Sequence, residues 1–135
     1  MDLSNINQLD TVKHEILHPD EASGVIKDEN GKPFFVEVFG KHTQQYKRAF
    51  AETFSDLAKF AQEHKDDTEA LELKRAESTA KFLVKISKSH HLILNKKKVA
   101  GKDLESVYLD FPWLRDQLDK ASSNAGAFIE KKSKS

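Results

Sequence analysis

Residues 34–63 read FFVEVFGKHTQQYKRAFAETFSDLAKFAQE, and the spacing of their apolar positions changes at Gly40. Before Gly40 the run is short, aromatic and β-branched, which suits a strand with both faces covered. After it, Tyr46, Phe50, Phe54, Leu57 and then Phe60 or Ala61 recur at three and four residues, the stripe of an amphipathic helix. Thr43 stands where an N-cap is needed. This switch predicts an α+β domain: a small antiparallel sheet of two to three strands in the N-terminal third, followed by a four-helix, mainly α portion.

Toward the N-terminus, residues 11–17 alternate, with Val12, His14 and Ile16 on one side and Lys13 and Glu15 on the other, so a strand is expected. Pro19 favours extended geometry at His18, and residues 18–24 read as a turn region. Residues 25–27 and 34–39 flank a segment holding Asn30-Gly31, a strong hairpin signal because both residues tolerate positive φ. The run at 34–39 is then expected to be a central strand or one with a covered face.

Toward the C-terminus, EHKDD at 63–67 should end the first long helix, and Asp67 or Thr68 can cap the next. Leu73, Ala76, Ala80, Leu83 and Ser87 form its expected stripe, with Phe82, Val84 and Ile86 making its far end the better buried. HHLILNKKK at 90–98 reads as an exposed histidine loop, an apolar patch and a basic turn. A short helix is expected over 102–109, then a last helix capped by Asp110 and carrying Pro112 in its first turn, with Trp113, Leu114, Gln117, Leu118 and Ala121. Phe128 and Ile129 form a small apolar anchor. Residues 1–129 are expected to be a single domain and 130–135 a disordered basic tail.

Composition narrows the function. Lys+Arg and Asp+Glu both number 22, so the chain lacks the basic excess by which nucleic-acid binders displace counterions. There is no cysteine, hence no disulfide, thiolate zinc site or thiol nucleophile. No apolar run approaches a membrane span, and the first residues lack the pattern of a secretory signal, so a soluble intracellular protein is expected. The phosphate-loop and nucleophile-elbow patterns do not occur, and the carboxylates lie on charged faces beside lysines, so no catalytic or cofactor-binding residues are assigned and no enzyme activity is expected.

His14-Glu15-Ile16-Leu17-His18 matches the H-E-x-x-H zinc signature letter for letter. That chemistry needs a helix, which brings residues four apart onto one face. On the strand expected here the two histidines would sit roughly 13 Å apart, too far for one zinc. No metal site is therefore assigned, and a zinc-dependent hydrolase is kept as an alternative. A second alternative is a small nucleic-acid-binding regulator using Lys96, Lys97 and Lys98.

The order of pieces carries a resemblance. A proline-containing turn (HPDEASGV) leads to a strand, then comes a polar helix start (KHTQQYKRAF), two long helices and VAGKDLESVYLDFPWLRDQLDKASSNAGAFIEKK. In that last stretch Leu104, Tyr108, Pro112, Trp113, Gln117, Asn124 and Phe128 match a C-terminal signature: a short helix with an aromatic, a proline-tryptophan step, a glutamine helix, then Asn and Phe. Over residues 17–128 the chain resembles the tail assembly chaperones of long-tailed (siphophage-type) bacteriophages. It departs from them in the extra turn at 28–33 and in lacking a tryptophan late in the second long helix. The resemblance implies a non-catalytic protein of the host cytoplasm that binds and solubilises the tape measure protein, helps recruit tail tube subunits and forms a homo-oligomer. Candidate residues for partner or self-association are Tyr46, Phe50, Phe54, Tyr108, Trp113 and Phe128, because aromatics are enriched at interfaces.

Overall fold

The structure is a computed structural model and describes residues 2–129, so the tail expected at 130–135 lies outside the described residues. The fold is α+β. Strands β1 (Thr11–Glu15), β2 (Phe35–Phe39) and β3 (Ser87–His91) form an antiparallel sheet in the order β1-β2-β3. Helices α1 (Gln44–Glu63) and α2 (Thr68–Ile86) make a long hairpin between β2 and β3. A two-stranded ribbon, β4 (Ile93–Leu94) and β5 (Lys97–Lys98), precedes α3 (Leu104–Asp110) and α4 (Pro112–Ser123). Among the described residues no helix is long and apolar enough to cross a membrane.

The run at 34–39 forms the central strand. Val36 and Val38 point into the core and are fully buried, and α4 packs on β2 from that side. On the opposite face Glu37 ties the sheet together. Its carboxylate accepts from Thr11 Oγ1 of β1 (2.6 Å) and Ser89 Oγ of β3 (2.9 Å). These hydrogen bonds stabilise the charged form and hold the Glu37 carboxyl below its ordinary range. The folded state thus gains from an ionised Glu37 above the ordinary carboxylate pKa and loses that gain as pH falls through the depressed value. Glu37→Gln should flatten the acid limb of the stability–pH curve below about pH 4, measured by denaturant unfolding at stepped pH; an unchanged limb would show that the clamp carries no charge-dependent stability.

The expected hairpin around residues 28–33 forms, with Lys27 bridging Pro33 and Phe34 N–H donating to Ile26 O, but its turn differs in detail: Gly31 has φ +81° and Asn30 does not have positive φ. Asp28 organises the turn instead. Its carboxylate accepts from the Asn30 and Lys32 N–H groups, both at 2.9 Å, while its backbone N–H donates to Lys32 O. The two-residue loop with positive φ at both positions is Asn95-Lys96 (φ 52° and 66°), which joins β4 to β5.

The third strand also comes from outside the expected segment. Ser87, placed by its spacing on the helical stripe, is the C-cap of α2 and the first residue of β3. Its hydroxyl donates to the Leu83 carbonyl (2.6 Å), satisfying an orphan acceptor of the last turn, and pairs with Tyr108 Oη (2.7 Å). Helix and strand therefore join without a loop. His90 and His91 lie on β3 and not in an exposed loop: His90 Nε2 contacts Val99 O (2.7 Å), and buried His91 meets the Asp28 carboxylate (2.9 Å) between the rings of Phe34 and Phe35.

The helices cap largely as expected. Thr43 Oγ1 accepts from Tyr46 N–H and Asp67 Oδ1 from Ala70 N–H. Asp110, expected to cap the last helix, is the final residue of α3; Phe111 occupies the N-cap of α4, without a side-chain cap bond, and Pro112 opens the helix. The inward row of α2 is Ser78, Phe82 and Ile86 with Ala80 and Leu83, whereas Leu73, expected on the stripe, is 61% exposed. The buried positions lie toward the C-terminal end, as the sequence indicates.

Candidate functional site

Apolar side chains of the helices and sheet reach the surface in a ridge and in a groove. The ridge lies on the α1–α2 hairpin. Phe50 stacks on Tyr46 and Phe54 and meets Phe82 edge-on, with ring centroids 6.4, 4.7 and 6.0 Å away. Tyr46 and Phe82 are buried and Phe54 is half-buried, but Phe50 is 49% exposed. From Phe54 to Glu77 no residue is fully buried. Leu57, Phe60 and Ala61 of α1 and Ala70 and Leu71 of α2 are half-buried, so this part of the hairpin leaves apolar surface in contact with water. Lys74 sits over the Phe60 ring (5.7 Å) and covers part of it.

The second feature is a groove of about 260 Å³ lined by Ile16, Ile26, Phe34, Leu92, Ile93, Leu94, Val99, Val107, Phe111, Trp113 and Leu114. Backbone bonding builds one wall. Ile16 N–H donates to Phe34 O (2.9 Å), Phe34 N–H to Ile26 O (2.8 Å) and Ile26 N–H to Ile16 O (2.9 Å), closing a ring of three bonds where the chain leaves β1. The β4–β5 ribbon forms a second wall and the α3–α4 elbow a third. Small-molecule sites pair apolar walls with a few convergent polar groups. Every side chain lining this groove is apolar, so it suits apolar side chains of another polypeptide better than a metabolite.

The candidate residues therefore separate. Tyr46, Tyr108 and Phe128 are core side chains and cannot act as surface contacts in this fold. Burial also pushes the Tyr108 hydroxyl pKa well up. Phe50 and Phe54 meet on the ridge, and Trp113 lies in the groove against Phe111 (6.0 Å). Trp113 is half-buried, so the loss expected of a fully buried tryptophan does not apply. Trp113→Ala should cost about 1–2 kcal/mol in a urea titration, in proportion to its partial burial; a loss above about 3 kcal/mol would mean the ring is core.

Gln117 has a role that spacing alone does not reveal. Its amide nitrogen donates to Leu17 O (2.6 Å) and its amide oxygen accepts from Leu17 N–H (2.9 Å), so one side chain pairs with the strand edge as a neighbouring strand would. His14 Nε2 lies 3.2 Å from the same oxygen. The HEILH segment is thus extended: His14 is on β1, and His18 Nδ1 accepts from Asp20 N–H (3.0 Å). Among the described residues no cluster of three or more His, Asp or Glu could hold a metal. The matched positions Leu104, Tyr108, Pro112, Gln117, Asn124 and Phe128 all hold the C-terminal half in place: as core side chains, as the first residue of α4, as the clamp on Leu17, and as the cap whose Oδ1 accepts from Gly126 N–H (3.2 Å). No protein-family model, curated protein or solved structure matches this chain.

Proposed function

We propose that the protein is a non-catalytic tail assembly chaperone that binds and solubilises a phage tape measure protein and helps recruit tail tube subunits. The observation that carries this reading is Phe50, half exposed on top of an aromatic cluster and continued along α1 by half-buried Leu57, Phe60 and Ala61. A tape measure is a long, partly apolar helical chain that aggregates when bare. Its natural complement is a helix of similar reach, and α1, with 20 residues, extends about 30 Å. Ridge and client then pack helix against helix, with Phe50 and Phe54 as anchors and the half-buried row from Leu57 to Ala61 extending the contact. The smaller groove holds only a few side chains and does not match a long client.

The zero formal charge supports the same reading, because many copies can crowd one client without strong mutual repulsion. The sequence resemblance over residues 17–128, densest from Leu104 to Phe128, supports the family. Co-expression tests the function. The protein should keep the tape measure encoded in the same genome in the soluble fraction, and Phe50→Lys should return it to the pellet while the chaperone itself stays folded by circular dichroism. Equal solubility with and without the chaperone would remove the proposal.

A further inference from the structure

We infer that copies of this chain associate head to tail, with the N-terminal arm of one copy seated in the apolar groove of the next. Residues 2–10 are all exposed, yet they carry Leu3 (86% exposed), Ile6 (38%) and Leu9 (37%), three large apolar side chains spaced by three. The arm joins the domain where Leu9 N–H donates to Phe128 O (2.6 Å) and Gln8 bridges to Ile129. That is the end of β1 at which Thr11 pairs with Phe39. The groove begins past the other end, where Glu15 pairs with Phe35 and Ile16 enters the groove wall. The five residues of β1 separate the two by about 17 Å.

Chemistry matches as well as shape. The arm contains Asp2 and Asp10 and no basic residue. The groove wall includes Leu94 and Val99, and the segment between them carries Lys96, Lys97 and Lys98, all exposed. An acidic arm with apolar side chains therefore meets an apolar slot beside a basic turn. Donor and acceptor surfaces differ and lie at opposite ends of the sheet, so the contact is heterologous. Such a contact propagates into rings or filaments and does not stop at a two-fold dimer.

The test uses the purified protein alone, without a client, so its failure is distinct from failure of the chaperone reading. In sedimentation velocity from micromolar to millimolar protein, the average mass should rise above 15.3 kDa with concentration and fall back at high salt. An arm variant (Leu3→Asp with Ile6→Asp) and a groove variant (Leu94→Glu) change exposed residues, and each should remain monomeric at every concentration. Mixed together, they should form a discrete one-to-one dimer and nothing larger, because each supplies the half the other lacks. A monomeric wild type, self-association indifferent to both changes, or a mixture that stays monomeric would each overturn the inference. So would strong protection from hydrogen exchange at residues 3–6 in a dilute monomer, ahead of the bond that holds Leu9 to Phe128, which would show that the arm docks on its own groove.

Discussion

Tyr108→Ala is expected to lower the unfolding free energy by about 3–5 kcal/mol, the loss typical of a large ring truncated in a packed core. Tyr108 is fully buried on α3, and its hydroxyl pairs with Ser87 Oγ at the junction of α2 and β3. The ring thus connects the C-terminal helices to the residue that turns a helix into a strand. Domains of this size are stable by about 5–15 kcal/mol, so the variant should be close to unfolding at 37 °C. Tyr108→Phe separates packing from hydrogen bonding. It should cost only about 1 kcal/mol, because Ser87 keeps its bond to the Leu83 carbonyl. Denaturant midpoints of the two variants check both values, and similar losses would mean that the hydroxyl pair, not the ring, carries the stability.

Phe128→Ala should cost about the same, about 3–5 kcal/mol, for a different reason. Its ring fills space that only a glycine at position 40 leaves open: a Cβ on Gly40 would lie 3.0 Å from the Phe128 ring and 2.7 Å from the His42 ring. His42 and Phe128 meet edge-on at 5.6 Å. Truncating Phe128 leaves a cavity beside the short connection from β2 to α1, where Gly40 N–H donates to Asp10 O and Lys41 N–H to Ser122 O. The arm is held at Phe128 O, so amide exchange at Leu9 should accelerate along with the global loss. Unchanged exchange at Leu9 would show that the arm is held independently of the ring.

The fold was legible where the chemistry is local. The change of spacing at Gly40 marks the boundary between β2 and α1, Thr43 and Asp67 cap their helices, and Val36 and Val38 fill the centre of the sheet. The third strand was not legible, because SKSHH at 87–91 carries no alternation of apolar and polar residues. It is a strand because β2 offers it an edge and because Ser87 and His91 find partners in Tyr108 and Asp28, which are distant in sequence. The basic turn after the apolar patch was legible, but not its two-residue form at Asn95-Lys96 or the ribbon it closes, because lysine is a weak signal for positive φ where glycine is a strong one. In the site, an aromatic residue looks the same whether it faces the core or water. Tyr46 and Phe50 lie one helical turn apart, and the position of Phe82 on α2 decides which of them is covered. The groove draws on residues from 16 to 114, and only Trp113 of its lining stood out in the sequence.

The most direct test of the chaperone account is the affinity of the purified protein for a helical segment of the tape measure encoded in the same genome, compared with that of Phe50→Ala. The ring is half exposed, so its removal should leave the fold intact. If Phe50 anchors the client, Kd should rise tenfold or more, corresponding to about 2 kcal/mol for an interface hot spot. Equal affinity of the two proteins, or no measurable binding by the wild type, would contradict the account.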